Sequence, residues 1–241
     1  MDSGQITGLE ALLRWNSSKR GWVSPIQFIP IAEETGFIDT LGKWVLQEAC
    51  KQFSHWQNAG LNFGKVAVNL SPVQFRQSYL EHMIRNTLIK TQLDPKHLEL
   101  EITESSVMDN VEQTILVLGN LHKMGLSLAI DDFGTGYSCL SYLKRFPIQK
   151  LKIDRSFIKD VDSDESDAAI AKSIIDLGRN MSMKVIAEGV ERQTQSKWLG
   201  DRGCQQVQGF YFAKPMSAKS LMDLANTDLI DIGKNGINFR L

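Results

Sequence analysis

Residues 126–138, LSLAIDDFGTGYS, contain the pattern that decides the fold. Residues 126–131 form an apolar run of strand length that ends in two adjacent aspartates, and a glycine-containing loop and a short helix follow it. The same order of a short apolar strand and a longer amphipathic helix recurs along the chain. Strands that alternate with helices in this way predict a parallel sheet with helical crossovers.

Apolar runs predict seven strands, at 7–15, 65–70, 97–103, 126–131, 150–154, 184–187 and 206–212. Helices are predicted at 25–35, 41–58, 72–91, 111–124, 138–145, 168–181, 192–202 and 218–225. Ser24-Pro25 and Ser71-Pro72 are each typical of an N-cap followed by proline at the first helical position. We interpret residues 1–241 as one domain, and this many units favour an α/β barrel over an open sheet. A closed barrel of this type has eight strands, so one strand is missing from the pattern.

The composition argues against several classes of function. The formal net charge is −1 and the pI is about 6.4, so no broad basic surface exists to hold a nucleic-acid polymer. Three cysteines and four histidines lie far apart, which gives neither a disulfide framework nor a zinc pattern and favours a reducing compartment. We expect no membrane insertion, because no apolar run approaches the ~20 residues of a span.

Acidic and polar residues lie at or near the carboxyl ends of the predicted strands. Because these ends meet at one face of a barrel, residues distant in sequence are expected to converge there. The set comprises Glu10, Arg14, Asn69, Glu99, Glu101, Glu104, Asp131, Asp132, Lys152, Asp154, Glu188, Glu191 and Gln208. Carboxylates that face one cavity repel one another unless cations neutralise them, and oxygen ligands without His or Cys suit Mg²⁺ or Mn²⁺. The pattern predicts a two-ion centre of the kind that hydrolyses phosphodiesters.

Some of these residues also have a structural interpretation. A single acid at a strand end is often a helix cap, and Asp154 is typical of one because Arg155 and Ser156 follow it. We interpret Glu99 as facing the side of its strand opposite to Glu101, towards helices or solvent. Lys152 lies between apolar neighbours, where an ammonium group needs acidic partners, and the other strand ends supply them.

The loop after the aspartate pair contains Gly134 and Gly136, which permit unusual backbone angles. Its amides are suited to cradle a phosphate or to reshape around an ion. Glycines in a loop are weak evidence alone and stronger evidence directly after two aspartates. Glu104 and Glu191 lie just beyond their strands, and we interpret them as groups that anchor loops.

Seven ordered motifs over residues 8–216 resemble the EAL-domain family of cyclic di-GMP phosphodiesterases. They are EALLR at 10–14, VNLS at 68–71, ELEITE at 99–104, DDFGTGY at 131–137, KLKID at 150–154, AEGVE at 187–191 and QGF at 208–210. The resemblance implies a modified TIM-like (β/α)8 barrel with one strand antiparallel to the rest. It also implies that the barrel's first helix and strand are missing from this chain, and that residues 217–241 form a C-terminal helix and tail.

The resemblance implies a role for each site residue in opening cyclic di-GMP to linear pGpG. The ligands of one metal ion would be Glu10, Asn69, Glu101 and Asp131. The second ion would be held by Asp131 and Asp132, with Glu188 nearby. The catalytic residues would be Lys152, which positions or stabilises the attacking water or hydroxide, and Glu188, a candidate general base. The substrate contacts would come from Leu12, Arg14 and Gln208. Glu104 would anchor the loop of Gly134 and Gly136, and Glu191 belongs to the same supporting set. The expected cofactors are two Mg²⁺ or Mn²⁺ ions, and Ca²⁺ should inhibit because its coordination shell is larger and less regular.

Two alternatives to the active phosphodiesterase stay open. One is an EAL-like module that binds cyclic di-GMP or a protein partner without turnover, which the missing strand favours. The other is an enolase-like lyase with Lys152 as base and Mg²⁺, against which the aspartate pair and Arg14 favour phosphate chemistry. The resemblance further implies a homodimer formed near residues 133–138 and the following helix. It also implies a longer bacterial signalling protein, cytoplasmic at this domain and with membrane tethering of the parent left open.

Overall fold

The computed structural model describes residues 5–136, 140–225, 230–233 and 236–239. The elements of its first half are β1 Leu9–Ala11, β2 Trp15–Ser17, β3 Gly21–Val23, α1 Pro25–Glu34, α2 Ile38–Asn58, β4 Val66–Asn69, α3 Pro72–Phe75, α4 Leu80–Thr91, β5 Leu98–Thr103, α5 Glu104–Met108 and α6 Val111–Lys123. The elements of its second half are β6 Ser127–Phe133, α7 Leu140–Leu143, β7 Lys150–Ile153, α8 Glu165–Asn180, β8 Lys184–Ala187, α9 Gln193–Asp201, β9 Gln206–Val207, α10 Ala218–Ala225, β10 Ile230–Gly233 and β11 Gly236–Phe239.

Seven strands form one sheet in the order β1-β4-β5-β6-β7-β8-β9, and every pairing in it is parallel. The predicted parallel sheet of seven strands with helical crossovers is therefore confirmed over the described residues. The antiparallel strand that the resemblance implies is not among these seven.

The two edges of this sheet, β1 and β9, approach each other through side chains. Gln206 Nε2 donates a hydrogen bond to Thr7 Oγ1 at 2.9 Å, and Gln208 Nε2 donates one to Glu10 Oε2 at 2.6 Å. No strand pairing joins β1 to β9 within the described ranges. The sheet thus curls into a barrel whose last gap is bridged by two side-chain pairs.

Alternation along β5 separates the apolar core from the barrel interior. Leu98, Leu100 and Ile102 are buried in an apolar cluster that also contains residues of α4, α6 and α8. Glu99 and Glu101 point the other way, because residues two apart on a strand share a face. The interpretation that Glu99 faces the side opposite to Glu101 is therefore wrong.

The polar interior contains two successive lysine–glutamate pairs. Glu101 pairs with Lys152 near the carboxyl ends of the strands. Two residues earlier on the same two strands, Lys150 Nζ lies 2.6 Å from Glu99 Oε1. The charged interior leads from one end of the barrel to the other, and each end carries its own cluster.

Three predicted segments differ from the observed elements. The strand predicted at 7–15 ends at Ala11, and the sequence after it forms a β2–β3 hairpin in which Gly21 has a φ of +67°. The helix predicted at 72–91 is split between Phe75 and Leu80. The strand predicted at 206–212 ends at Val207.

Two further elements are absent from the prediction. They are α5, which starts directly at the end of β5, and the antiparallel hairpin β10–β11 in the C-terminal tail. The helix predicted at 138–145 is seen from Leu140, since residues 137–139 lie outside the described ones. Within the described residues, no helix combines the length and apolar character that crossing a membrane requires.

Candidate active site

The centre of the candidate site is a lysine enclosed by carboxylates. Lys152 on β7 is 2% exposed. Its Nζ lies 2.7 Å from Glu101 Oε2, 2.7 Å from Glu188 Oε1 and 3.1 Å from Asp131 Oδ1. Glu101 lies on β5, Asp131 lies on β6, and Glu188 directly follows β8. Residues more than 80 positions apart thus converge at one atom, as the parallel strand ends predict.

Negative charge exceeds positive charge around this lysine. Burial lowers the pKa of Lys152, but the carboxylates of Glu101, Glu188, Glu10 and Asp131 outweigh it, and the pKa is raised above its ordinary value. Lys152 is therefore an ammonium group at any neutral pH. Burial raises the pKa of Glu101, and it raises the pKa of Glu188 to about 7. In both carboxylates, burial outweighs the opposing effect of the Lys152 charge.

Glu10 on β1 is held by two amides. Asn69 Nδ2, on the neighbouring strand β4, donates to Glu10 Oε1 at 2.7 Å. Gln208 Nε2, just beyond β9, donates to Glu10 Oε2 at 2.6 Å. The register places Asn69 directly opposite Glu101. Glu10 therefore belongs to the same cluster as Lys152, on the side of the barrel where β1 meets β9.

Asp131 and Asp132 both reach this end of the barrel through an irregularity of β6. The register between β6 and β7 shifts between Ile130 and Phe133. Asp132 has a φ of +53°, in the left-handed region, which costs a non-glycine residue ~1–2 kcal/mol. Consecutive side chains of a regular strand point to opposite faces, so this turn allows both carboxylates to serve one site.

Asp154 belongs to the carboxylate cluster, although its sequence position indicates only a cap. The cap is present, because Asp154 Oδ1 accepts a hydrogen bond from Ser156 N at 2.9 Å. Its carboxyl group also lies near enough to Asp132 to act on the pKa of that residue. Burial, and then the charges of Asp131 and Asp154, raise the pKa of Asp132 to about 6. The sequence does contain a signal for this position: Asp154 lies two residues after Lys152, a spacing that places both side chains on the same face of a strand.

Glu104 holds the loop that follows β6. Its Oε2 accepts hydrogen bonds from Gly134 N at 2.9 Å and from Gly136 N at 3.3 Å. Gly134 has a φ of +102°, and a Cβ there would lie 3.0 Å from Ile174 Cδ1 and from a ring carbon of Phe157. The loop backbone is thus fixed by a buried carboxylate on one side and close packing on the other.

Three predicted site residues lie apart from the carboxylates. Leu12 is 40% exposed, and Arg14 is exposed with its Nη1 donating to Leu13 O at 2.9 Å. Both follow β1 at the open end of the barrel. Glu191 Oε1 accepts from Arg155 Nη2 at 2.8 Å. This ion pair links the loop after β8 to the turn after β7.

The donor set of the cluster fits Mg²⁺ or Mn²⁺. Among the described residues, no three carboxylate, imidazole or thiol groups are already arranged around one ion position, because Lys152 and two amides take up the carboxylate oxygens. The cluster nevertheless sets six carboxylates against one ammonium. The six are Glu10, Glu101, Asp131, Asp132, Asp154 and Glu188. Mg²⁺ and Mn²⁺ bind hard oxygen donors at sites with an excess of negative charge. The Asn69 nitrogen faces Glu10 here, so a rotation of the amide would be needed to present its oxygen to an ion.

Together, the fold and the site define a TIM-like α/β barrel with a lysine-centred carboxylate cluster at the carboxyl ends of its strands. The chain belongs to the EAL domain family, whose profile matches residues 1–215.

Two relatives show how this family uses the domain. The chain is 46% identical over 220 residues to the bifunctional diguanylate cyclase/cyclic di-GMP phosphodiesterase MucR of Pseudomonas aeruginosa, covering 91% of this chain and 32% of MucR. It is 37% identical over 215 residues to the cyclic di-GMP phosphodiesterase PdeR of Escherichia coli, covering 89% of this chain and 32% of PdeR. The chain thus spans about a third of the length of these relatives.

A solved structure described as the PaMucR phosphodiesterase in complex with c-di-GMP has the same fold. It superimposes with a TM-score of 0.87 at 46% identity, over 89% of this chain and 87% of that one. The EAL enzyme Bd1971, in its cAMP- and cyclic-di-GMP-bound form, gives a TM-score of 0.86 at 37% identity, over 91% of this chain and 60% of that one.

Proposed function

We propose that the chain is a divalent-metal-dependent phosphodiesterase that hydrolyses one 3′ phosphodiester bond of cyclic di-GMP to give linear pGpG. The enclosure of Lys152 by Glu101, Asp131 and Glu188, beside the Glu10–Asn69 pair, is the observation that carries the proposal. The names of the two relatives and the ligand of the MucR structure support the choice of substrate.

The same carboxylates would hold two Mg²⁺ or Mn²⁺ ions. One ion would lie among Glu10, Asn69, Glu101 and Asp131. The other would lie between Asp131 and Asp132, near Glu188. When bound, the ions neutralise phosphate oxygens and bring the pKa of water down towards ~7. Asp154 would strengthen the binding of the second ion through its negative charge beside Asp132.

Lys152 and Glu188 would have complementary roles in the attack of water on the phosphorus. Glu188, with a pKa of about 7, is suited to take the proton of the attacking water near neutral pH. Lys152 would stabilise the negative charge that develops on the attacking oxygen and the phosphate. The water oxygen becomes part of the new 5′ phosphate, and the 3′ oxygen departs as a hydroxyl group after gaining a proton.

The substrate would reach these groups from the exposed side of the barrel end. Arg14, whose guanidinium is exposed, would bind a phosphate of the substrate. Leu12 offers an apolar surface beside it. Gln208 would contribute from the opposite edge of the sheet, where its amide already bonds to Glu10.

A second candidate function is a module that binds cyclic di-GMP without turnover. The feature that favours it is the gap between β1 and β9, where no strand pairing is present among the described residues and two side-chain hydrogen bonds connect the edges. Displacement of β1 would move Glu10 away from Asn69. The lyase alternative is disfavoured, because a lysine with a raised pKa does not act as a base at neutral pH.

Product analysis of the purified chain with cyclic di-GMP and Mg²⁺ or Mn²⁺ separates these functions. We expect pGpG from the wild-type chain, and none from Glu10→Ala. Lys172→Ala is the matched control, since Lys172 is an exposed residue of α8 that pairs with Asp176. Saturable binding without product would support the binding module instead. Ca²⁺ should inhibit, and full turnover with Ca²⁺ would contradict the two-ion assignment.

The described part of the chain also supports the expected homodimer. Leu140 of α7 is 56% exposed, and Tyr142 beside it is also exposed. Both follow the loop that Glu104 anchors, which would connect the dimer contact to the carboxylate cluster. The proposal that the chain acts within a longer signalling protein rests on the length of its relatives.

A further inference from the structure

The opposite end of the barrel carries a second charged cluster, made of lysines. Lys65 directly precedes β4, Lys150 begins β7 and Lys184 begins β8. Lys150 and Lys184 are register partners, and Lys150 shares a face with Lys152. Lys65 lies four residues before Asn69 and shares its inward face. The three lysines therefore lie on the inner face of the barrel, at the end away from the carboxylates.

One carboxylate accompanies these three ammonium groups. Glu99 Oε1 pairs with Lys150 Nζ at 2.6 Å, and both side chains are largely buried. Lys65 Nζ donates to the neutral hydroxyl of Ser127. Within the described residues, the Lys184 side chain is exposed and makes no ion pair or hydrogen bond. The cluster, named here the lysine end of the barrel, thus has an excess of two positive charges.

This excess charge is only partly solvated. Burial lowers the pKa of Lys65; Glu99 raises it, and Lys150 and Lys184 lower it again. The lysine charges are therefore near enough to act on one another. Lys65 is a partly buried ammonium group that forms no ion pair among the described residues, and the free energy that this costs would be recovered by a bound anion.

Two properties of the cluster select the kind of anion. A phosphate dianion carries the two negative charges that would balance the excess. Its tetrahedral oxygens can accept hydrogen bonds from several directions, as donors on three different strands require. The lysine end lies inside the mouth of the barrel, which favours a small or terminal phosphate over a polymer.

We propose that the lysine end, formed by Lys65, Lys150 and Lys184 with Ser127 and Glu99, binds a phosphate-type oxyanion. The ligand is inorganic phosphate or the terminal phosphate of a nucleotide. This site is separate from the carboxylate cluster and does not depend on the activity proposed for that cluster.

Thermal unfolding of the full chain in EDTA tests the proposal. Without divalent ions, the carboxylate cluster repels phosphate, so an effect of phosphate reports on the lysine end. The ionic strength is held constant with chloride while inorganic phosphate is titrated, and a second titration uses GMP. We expect a saturable rise of the unfolding midpoint with at least one of the two ligands. Saturation at much lower concentration with GMP would identify a nucleotide phosphate as the ligand.

The variant Lys65→Gln/Lys184→Gln should weaken phosphate binding by about tenfold or more, because it removes two charge-assisted hydrogen bonds to the anion. The control is Lys90→Gln/Lys123→Gln, which removes two exposed lysines of α4 and α6 and should bind as the wild-type chain does. If the double variant does not fold, Lys184→Gln alone serves, since its side chain has no described partner to lose.

If these lysines contributed only to packing, a different response of the unfolding midpoint to phosphate would be expected. In that case, the variant would be less stable with or without phosphate, and its response to phosphate would equal that of the wild-type chain. Equal responses, or no saturable response to either ligand, would overturn the proposal. Turnover of cyclic di-GMP by Lys184→Gln in phosphate-free buffer should equal that of the wild-type chain, so failure of either proposal leaves the other testable.

Discussion

Lys152 keeps its ammonium charge because three carboxylates lie within 3.1 Å of Nζ. Around this fixed charge, the carboxylates are the groups that titrate near neutrality. Glu188 has a pKa of about 7, and Asp132 has one of about 6. The pH dependence of the metal-free chain should therefore come from these carboxylates.

Without divalent ions, Glu188 should make the chain less stable as the pH rises from about 4.5 to about 7. The pKa of Glu188 rises from 4.5 to about 7 on folding, so between these values the folded state holds a proton that the unfolded state has released. This contribution is complete below pH 4.5 and is lost as the pH passes 7. Thermal unfolding in EDTA at a series of pH values measures it.

Glu188→Gln provides the control for this pH series. The variant cannot ionise at that position, so its stability should fall less steeply over the same pH range than that of the wild-type chain. Saturating Mg²⁺ should also reduce the fall, since it neutralises the ionised cluster. An identical slope for the variant in EDTA would contradict the assignment to Glu188.

Asp154→Asn separates the two roles of Asp154. Asparagine keeps the oxygen that accepts from Ser156 N and is itself a good cap, but it lacks the negative charge near Asp132. We expect the variant to keep the stability of the wild-type chain and to need several-fold more Mg²⁺ for half-maximal turnover. Unchanged Mg²⁺ dependence would leave Asp154 as a cap alone.

Among the elements of secondary structure, β4, which ends at Asn69, is connected to two helices by hydrogen bonds of Ser71. Ser71 Oγ donates to Glu33 Oε1 on α1 at 2.6 Å and caps α3 by accepting from Val73 N. Gln74 completes this capping box. The chain leaving β4 is thus tied to two helices within two residues of a predicted metal ligand.

Ser71→Ala should lower the free energy of unfolding by about 1–2 kcal/mol, because it removes the cap and leaves Glu33 without this donor. Ser24→Ala is the matched control. Ser24 also precedes a proline at the start of a helix, but its side chain makes no capping hydrogen bond. Denaturant unfolding of both variants measures the difference. Equal losses would show that the bonds of Ser71 contribute little.

The strands could be predicted where the apolar pattern of the local sequence agrees with the packing of the folded sheet. The strands β4 to β8 combine apolar outward residues with parallel neighbours, and their sequence positions were found within two residues. The β2–β3 hairpin was missed because residues 7–15 continue an apolar pattern past Ala11. The short strand β9 was overestimated because Gln208 turns to Glu10 across the gap, a long-range contact that no local pattern contains.

The same limit applies to the candidate site. Its position at the strand ends follows from parallel topology alone. The inclusion of Asp154 and the contact of Glu10 with Gln208 depend on the shift in β6 and on the curvature of the sheet. The spacing of Asp154 from Lys152 indicates a shared face, but the contact of Glu10 with Gln208 has no signature in the neighbouring sequence.

For the molecule as a whole, Leu140→Glu should weaken the proposed homodimer. A charge at this exposed position of α7 would be desolvated in an interface beside the loop. Light scattering across a range of chain concentrations measures the dissociation constant, which should rise by tenfold or more. Leu116→Glu, at an exposed leucine of α6, is the control that should dimerise normally. Equal dimerisation of all three chains would place the interface elsewhere.

The proposed hydrolysis of cyclic di-GMP at the lysine-centred carboxylate cluster can be followed through the oxygen that enters the product. The most direct measurement follows the purified chain with cyclic di-GMP and Mg²⁺ in ¹⁸O-labelled water, with the product analysed by mass spectrometry. We expect pGpG with one labelled oxygen in its 5′ phosphate, formed by the wild-type chain and at least ~100-fold more slowly by Lys152→Met. Intact cyclic di-GMP after prolonged incubation, or equal product from Lys152→Met, would contradict this proposal.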